Sequence, residues 1–446
     1  MSINGIKISE SAKNAINILN ENGFEAYIVG GAVRDALTGV TPYDYDVATS
    51  ATPEEVVSVF GEKNVIKTGI KHGTVTALTP MPIEITTFRK DGEYSDRRRP
   101  ERVEFIGDIN TDLKRRDFTV NAIAYSLKGG IIDLYGGLED IKAKTIRAVG
   151  NPYERFDEDA LRILRALRFS STLGFKIEEK TAEALRALKE NLKAVSKERV
   201  FTELTKLLKG KFVTEVLLEY AEVFFVIIPE LAPSYKFDQH SKWHKYDVYE
   251  HIARSVGYIR ADEVLRYTML LHDAGKPEKF TVGENGAGHF YGHAEVSAEI
   301  AKRVLKRLKA PNKLINSVYL RVLRHDLRIK NDEISVKRKL NEYGEELFFD
   351  LMEIRRADGK AQGTVIATEE TEKMLEIEKV AREIVSRADC YKLSDLKING
   401  KDLENMGFHG ERVGDALNFV LDAVINGDIQ NDRERLLNFA VKRLKK

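Results

Sequence analysis

A turn containing Gly30 and Gly31 follows the apolar run 26–29, which is typical of a short buried strand. The two glycines allow a sharp turn into a helix that is predicted from Ala32 onward. Free amide groups at the start of this helix favour an anion, and the Arg34 guanidinium can add a charged fork. The pattern predicts a binding site for a phosphate group, with Gly31 at the turn and Arg34 beside it.

Two aspartates follow this turn. Asp44 and Asp46 are separated by one residue, so on an extended strand both carboxylates point to the same face, whereas Tyr45 points away. Two carboxylates on one face suit Mg2+. Alone, a Gly-Gly turn is usually only a turn, and an Asp-x-Asp pair is more often a solvated loop. Together they predict metal ions that bridge carboxylates and triphosphate oxygens while a hydroxyl displaces pyrophosphate.

Two later segments supply further charged groups. Glu84 lies in the alternating run 83–87 and is a candidate third acidic ligand, although an exposed strand glutamate is an equally good interpretation. The segment 115–122 begins with two arginines, of which Arg116 could reach a triphosphate. The alternative, a capped helix start, would explain Asp117 but not the paired arginines.

An acidic residue and three arginines recur at every third position, as expected of one stripe on a helix: Asp159, Arg162, Arg165 and Arg168. A carboxylate can accept from the exocyclic amine of a base while a neighbouring guanidinium donates to the ring nitrogen. Cytosine and adenine share that edge pattern, whereas uracil and guanine present the reverse. The stripe therefore predicts selection of CTP and ATP by protein groups alone. The alternative is an ion pair between residues three apart on a surface helix.

Composition limits the class of protein. The chain has 446 residues, 43% hydrophobic and 32% charged, with a formal net charge of +1. This length favours several domains. The charge excludes a uniformly basic nucleic-acid surface, so a polyanion would have to bind at local clusters such as 97–99 and 114–116.

Membrane and export signals are not evident in the sequence. The longest apolar run, 223–228, is too short to span a bilayer. Residues 1–10 lack a secretory signal, and the single cysteine, Cys390, fits a reducing compartment. We therefore expect a cytoplasmic protein with no membrane partner.

The pattern of elements changes along the chain. Up to about residue 140, β-rich runs at 27–29, 75–78, 83–88 and 131–134 alternate with helical stretches, which indicates an α/β domain. After Pro152 the periodicity becomes almost wholly helical. The segment 229–243, with two prolines, is a plausible linker.

In their order along the chain, the motifs resemble those of the bacterial, class II CCA-adding tRNA nucleotidyltransferases. They are Gly30-Gly31-x-x-Arg34-Asp35, Asp44-x-Asp46, Glu84-Ile85-Thr86-Thr87-Phe88-Arg89, Arg115-Arg116-Asp117-Phe118-Thr119-x-Asn121-Ala122, Glu158-Asp159-x-x-Arg162-x-x-Arg165-x-x-Arg168-Phe169 and Glu198-Arg199-x-x-x-Glu203. The resemblance covers essentially the whole chain. It implies an α+β multidomain protein with a polymerase β-like head (1–140), a helical neck that recognises the base (141–235), a helical body (236–345) and a helical tail that binds tRNA (346–446).

The same resemblance implies roles for individual residues. It makes Asp44 and Asp46 the Mg2+ ligands and places the triphosphate on Gly31, Arg34 and Arg116. It assigns nucleotide binding to the stripe of Asp159, Arg162, Arg165 and Arg168, and support of the neck helix to Glu198, Arg199 and Glu203. The segment 89–100 resembles the family's flexible loop, which accompanies addition of the terminal A.

Histidines form a second group, because seven of the nine lie between His240 and His325. Isolated histidines on helices are mostly structural, but that density is poorly explained by structure alone. The order His251, His272-Asp273, Asp326 resembles the HD phosphohydrolases, in which these positions hold a divalent metal. His293 and His325 are possible extra ligands, and the same fold can also persist as a scaffold.

These observations predict an enzyme that adds or repairs the 3'-terminal CCA of tRNA from CTP and ATP, with Mg2+, and that has no DNA partner. Two alternatives remain open. One is an A-adding or poly(A) polymerase of the same superfamily, and the other is an HD-type phosphohydrolase whose head binds RNA. The oligomeric state is not predicted.

Overall fold

The computed structural model describes residues 8–91, 103–105 and 107–444. Most of the predicted loop 89–100 lies outside the described residues. The chain divides into two compact units, Met1–Pro229 and Glu230–Lys446.

The first unit is built on a mixed sheet of seven strands. The strands up to residue 133 are β1 (Ala26–Val29), β2 (Asp46–Thr49), β3 (Val65–Ile66), β4 (Thr74–Ala77), β5 (Ile83–Thr87), β6 (Arg89–Asp91), β7 (Val103–Phe105), β8 (Ile123–Ser126) and β9 (Gly130–Asp133). Of these, β6 and β7 form a separate pair outside the sheet. The order in the sheet is β3-β4-β5-β2-β1-β8-β9. The neighbours β2 and β5 run parallel, and the other neighbours run antiparallel.

The register of the sheet brings the candidate site residues together. Asp46 pairs with Glu84 across the parallel strands and with Val29 on the other side. The Gly-Gly turn, which follows Val29, is therefore next to the first residue of β2. The four predicted β-rich runs coincide with β1, β4, β5 and β9, so the predicted α/β domain is confirmed.

Helices complete the first unit. They are α1 (Glu10–Glu21), α2 (Gly31–Leu37), α3 (Pro53–Phe60), α4 (Ile109–Lys114), α5 (Gly137–Ala143), α6 (Pro152–Glu158), α7 (Leu161–Leu173), α8 (Glu179–Leu188), α9 (Lys197–Leu208), α10 (Val213–Glu219) and α11 (Ala221–Ile227). Helix α7 packs against α9 through leucines on one face of each helix. A parallel pair of two-residue strands, β10 (Thr145–Ile146) and β11 (Lys176–Ile177), interrupts the helical region.

The second unit is almost wholly helical, as the periodicity predicted. Its helices are α12 (Val248–Tyr258), α13 (Glu263–Leu271), α14 (His293–Arg307), α15 (Asn312–Arg324), α16 (Glu333–Gln362), α17 (Val365–Ser386), α18 (Gly400–Asn405), α19 (Glu411–Ile425) and α20 (Arg433–Leu444). The strands β12 (Thr281–Val282) and β13 (Gly288–His289) form a short antiparallel pair. The expected boundary at 345/346 falls inside α16, just after Gly344, where the chain kinks with φ 70° and ψ 165°.

Among the described residues we find no helix with the length and apolar character needed to cross a bilayer.

Candidate active site

A cavity of about 750 Å3 in the first unit contains every site residue predicted for the head and neck. These are Gly31, Arg34, Asp44, Asp46, Glu84, Arg116, Asp159, Arg162, Arg165 and Arg168. The acidic side chains of Asp44, Asp46 and Glu84 come from β2, β5 and the residues before β2, and basic side chains come mainly from α2, the residues after α4, and α7. The cavity therefore combines a carboxylate wall with an arginine wall.

The carboxylate wall follows the alternation predicted from sequence. Asp44 and Asp46 are exposed to the cavity, and Tyr45 between them is buried with 4% exposure. Only Asp46 belongs to β2, since Asp44 lies in the bend before it.

The environment of Asp46 favours a cation. Although Asp46 reaches solvent at the cavity surface, desolvation by the surrounding protein raises its pKa to about 6. Repulsion by Glu84 and Asp44 also raises the pKa, and Arg116 opposes the shift. A divalent ion would relieve the repulsion among these three carboxylates, so the donor set fits a hard metal.

Gly30 permits the close approach of strand, arginine and carboxylate. Its φ is +73°, a conformation that other residues rarely adopt. A Cβ at this position would lie 3.1 Å from Arg116 Nη1 and 3.9 Å from Asp46 Oδ2. Helix α2 starts at Gly31, one residue earlier than predicted.

Hydrogen-bond acceptors, several of them buried, hold the arginines that line the cavity. Arg34 donates to Asp35 Oδ1 at 2.7 Å and 2.9 Å, and to Asn121 Oδ1 at 2.6 Å. Asp112, which is 1% exposed, accepts from Arg115 at 2.7 Å and from Arg116 at 3.1 Å. The sequence interpretation missed Asp112, although its spacing of three and four residues from the two arginines is the usual signal of helical ion pairs.

Asp117 connects the part of the cavity around Arg34 to helix α7. Its Oδ1 accepts from Asn121 at 3.2 Å, and its Oδ2 accepts from Arg165 at 2.7 Å. Burial alone would raise the pKa of Asp117, but Arg165 and the hydrogen bond from Asn121 outweigh it and hold the pKa at about 2. Since Asn121 also accepts from Arg34, one polar chain joins Arg34 to Arg165.

Replacing Asp117 by alanine should lower the free energy of unfolding of the first unit by about 3 kcal/mol. This value is at the lower end of the range for breaking a buried ion pair, because Arg165 is partly exposed. Because the pKa is lower in the folded state, this stabilisation is present above about pH 4 and is lost as the pH falls toward 2. Urea unfolding followed by circular dichroism measures the effect.

A control variant separates this effect from general damage. Glu183→Ala, which removes an exposed carboxylate from α8, should change stability by less than about 0.5 kcal/mol. An Asp117→Ala effect that stays constant from pH 6 to 2 would contradict the assignment.

Asp159 does not lie on the helix with the three arginines, which corrects the predicted stripe. It is extended (φ −144°, ψ 100°) between α6 and α7, and its Oδ1 accepts from the Leu161 backbone amide at 3.1 Å. Aspartate favours such a position because its side chain can satisfy a free amide at a helix start. Its Oδ2 accepts from Arg199 at 2.7 Å.

Arg162 is buried, with 8% exposure, so its ion pair with Glu158 is not on an open surface. It donates to Glu158 Oε2 at 2.5 Å and to the backbone carbonyl of Arg155 at 3.0 Å. Arg162 and Asp159 both line the cavity.

Arg165 and Arg168 extend the arginine wall along α7. Arg168 Nε lies 2.8 Å from Glu203 of α9, and its guanidinium lies 4.0 Å from the centroid of the Phe169 ring. Arg165 is held by Asp117. Arg199 and Glu203 of α9 therefore anchor Asp159 and Arg168 directly. Among the described contacts of Glu198, none is a side-chain bond to Asp159 or Arg168.

The second unit holds a separate group of side chains that could hold a metal ion. His251 on α12, His272 and Asp273 after α13, and Asp358 on α16 place one ligand atom each within 4.8 Å of one another, and all four residues are buried. Asp273 also forms such a group with His293 and His325.

The structure corrects one member of the predicted set. Asp326 is outside both groups: it is half exposed and accepts from Arg355 at 3.2 Å. His325 closes α15 and points into the group, so the next residue is directed elsewhere. Asp358, distant in sequence, takes the place expected for Asp326.

Three family models match parts of the chain. Residues 26–147 match the family "Poly A polymerase head domain", residues 174–234 match "Probable RNA and SrmB-binding site of polymerase A", and residues 288–440 match "tRNA nucleotidyltransferase domain 2 putative". These matches follow the order of head, neck and later helical region.

One relative and one solved structure match almost the whole chain. The CCA-adding enzyme of Enterococcus faecalis is 36% identical over 98% of this chain and 97% of its own length. The CCA-adding enzyme of Lactococcus lactis subsp. cremoris is 53% identical over 203 residues, and this match spans 45% of the chain and 50% of that enzyme. The crystal structure of the Bacillus stearothermophilus CCA-adding enzyme in complex with CTP is 31% identical, with a TM-score of 0.74 over 98% of this chain and 97% of that one. The chain thus belongs to the CCA-adding enzymes, a family of nucleotidyltransferases.

Proposed function

We propose that this protein adds or repairs the 3'-terminal CCA of tRNA from CTP and ATP and releases pyrophosphate. The observation that carries the proposal is one cavity in which three carboxylates face a wall of arginines that buried acceptors hold in place. The tRNA substrate and the single cysteine fit a cytosolic location.

The carboxylates of Asp44, Asp46 and Glu84 hold and orient the reacting groups. Asp44 and Asp46 are the proposed ligands of Mg2+, and Glu84 adds negative potential beside Asp46. When bound, the metal neutralises charge on the triphosphate and on the departing pyrophosphate. The 3'-hydroxyl of tRNA attacks the α-phosphate at this wall.

Gly31, Arg34 and Arg116 bind the triphosphate in this proposal. The Gly30 turn places the start of α2 close to Arg116, and Asp35, Asp112 and Asn121 hold the guanidinium groups in place before the nucleotide binds. Preorganised donors stabilise developing negative charge at little reorganisation cost. The same phosphate site serves CTP and ATP, since the base does not contact it.

Asp159 and Arg162 select the base. Arg199 and the Leu161 amide fix the Asp159 carboxylate, so an acceptor of fixed position faces the incoming nucleotide. Arg162 supplies the neighbouring donor, while Arg165 and Arg168 extend the binding surface along α7. This pair matches the amine and ring nitrogen that cytosine and adenine share.

Incubation with three tRNA substrates tests the proposal. Purified protein is given tRNA lacking CCA, CA or A, each with a single labelled nucleotide. We expect C on the first two and A on the third. Incorporation of A alone, or of long A tracts, would instead indicate an A-adding or poly(A) polymerase.

A second candidate function is favoured by the buried group in the second unit. We propose that His251, His272, Asp273 and Asp358 form an HD-type site that binds a divalent metal and hydrolyses phosphate monoesters or 2',3'-cyclic phosphates. Histidine and carboxylate ligands suit a transition metal or Mg2+.

Replacing Asp273 by alanine should remove any such hydrolysis and leave CCA addition unchanged. Release of phosphate from p-nitrophenyl phosphate and opening of a 2',3'-cyclic nucleotide, each with Mg2+, Mn2+, Co2+ or Ni2+, measure the activity. Loss of CCA addition in a folded Asp273→Ala variant would show that the group serves the first function.

A further inference from the structure

The order of the strands gives the cavity of the first unit two sides. Neighbouring strands follow the order β4-β5-β2-β1, and Asp46 is the first residue of β2. The Gly30 turn and Arg116, where the proposed function places the triphosphate, lie on the β1 side of Asp46. Glu84 of β5 lies on the opposite side, and β4 follows beyond it. The carboxylates therefore lie between a phosphate side and a β4–β5 side.

The direction of the reaction assigns a substrate to the β4–β5 side. In nucleotidyl transfer the attacking and leaving oxygens lie roughly in line, on opposite sides of the phosphorus atom. Since pyrophosphate leaves toward the Gly30 turn in the proposed function, the 3'-hydroxyl of tRNA arrives over Glu84. Neighbouring strands are about 4.8 Å apart, so the nucleotide that carries this hydroxyl lies over β5 and β4.

The β4–β5 side of the cavity presents groups that suit a ribose and a phosphate. Thr74 and Thr86 are paired across β4 and β5, and their hydroxyl oxygens lie 3.0 Å apart at the cavity surface. One hydroxyl donates to the other, which leaves one donor and several lone pairs for a ligand. Arg89 lines the same side, and its Nη1 donates to the backbone carbonyl of His72 at 2.5 Å. Hydroxyl and guanidinium groups bind sugar and phosphate without selecting a base.

Two aromatic rings border the same side. His72 is exposed and lines the cavity, and Phe105 is 41% exposed. A Cβ on Gly73 would lie 2.8 Å from the Phe105 ring, so the glycine allows this ring to pack against the backbone that precedes Thr74. Aromatic rings stack on every base. This tolerance suits a tRNA end whose last base changes as nucleotides are added.

We propose that Thr74, Thr86 and Arg89 bind the last nucleotide of the tRNA. The threonine hydroxyls bond to its ribose 2'-hydroxyl, and Arg89 pairs with its phosphodiester. The inference rests on the proposed function and adds the site of the second substrate. A 2'-hydroxyl is both donor and acceptor, as the threonine pair requires, and it distinguishes RNA from DNA. These contacts stay the same in all three additions, because none of them involves a base.

Kinetics with two forms of one tRNA test the proposal in the full chain. A tRNA lacking CA, which accepts a single C, is prepared with either ribose or 2'-deoxyribose at its last nucleotide. Both forms keep the attacking 3'-hydroxyl. For the wild-type protein the deoxy form should lower kcat/KM by about 3- to 10-fold, the scale of one hydrogen bond.

The Thr74→Val, Thr86→Val variant should lose a similar factor with the ribose form. The loss should come from a higher KM for tRNA, with the KM for CTP unchanged. With the deoxy form this variant should match the wild-type protein, since the bond that the valines remove is already missing.

Three further variants serve as controls. Thr76→Val removes a hydroxyl from β4 outside the cavity and should behave as the wild-type protein. Thr74→Ser, Thr86→Ser keeps both hydroxyls and should keep the preference for the ribose form. Arg89→Gln should raise the KM for tRNA equally with both forms, because Arg89 contacts the phosphate and not the ribose.

The outcomes separate this inference from the function on which it rests. Equal use of both tRNA forms by the wild-type protein would overturn the inference without any variant. A valine variant that loses the same factor again with the deoxy form, or that raises only the KM for CTP, would also overturn it. If the wild-type protein adds no C to either form, the proposed function itself fails.

Discussion

Replacing both Asp44 and Asp46 by asparagine should abolish the addition of C and of A alike, by at least about a thousandfold, since metal ions contribute several kcal/mol to charge stabilisation in such reactions. Both carboxylates face one cavity, and Asp46 lies beside Glu84. Single-turnover incorporation of labelled CTP into tRNA lacking CCA, and of labelled ATP into tRNA lacking A, measures the two steps.

A matched variant controls for loss of charge. Glu21 and Glu183 are exposed carboxylates of the same unit, and neither lines the cavity. The Glu21→Gln, Glu183→Gln variant should keep both steps. Substantial incorporation of either nucleotide by a folded Asp44→Asn, Asp46→Asn variant would show that the metal ligands have been assigned wrongly.

Asp159→Ala should relax the rejection of UTP and GTP. Removing a fixed acceptor costs about 1–3 kcal/mol of discrimination, which corresponds to a change of about 5- to 150-fold. The ratio of kcat/KM for CTP to that for UTP, and of ATP to GTP, gives the effect.

Arg199→Ala provides a graded comparison. The Asp159 carboxylate remains but loses its 2.7 Å anchor, so discrimination should fall in the same direction by a smaller factor. If Asp159→Ala binds nucleotides weakly yet keeps the full preference for C and A, Asp159 serves only as a structural partner of Arg199.

Local patterns predicted the head of the molecule well. The apolar run before Gly30 is β1, and the alternation around Tyr45 places that residue inside and both aspartates outside. Such features depend on one strand or one turn, so spacing alone reveals them. The position of Glu84 next to Asp46 depends on strand pairing, which the sequence does not display.

Features that depend on distant segments were missed or misplaced. Asp159 was expected on α7, but it lies before that helix. Its carboxylate accepts hydrogen bonds there from the Leu161 amide and from Arg199 of α9. Asp358 is remote in sequence from His325, so the sequence pointed to the adjacent Asp326 for this group, whereas the structure places Asp358 there and Asp326 beside Arg355. Only the packing of α16 against α12 brings Asp358 to His251.

In the proposed function, one cavity adds C, C and A in order without a nucleic-acid template. The most direct measurement is sequencing of the 3' ends after purified protein acts on tRNA lacking CCA with all four nucleotides at equal concentration. We expect ends that read CCA, with no further addition and almost no U or G. Ends that carry A alone, extended A tracts or mixed bases would contradict it.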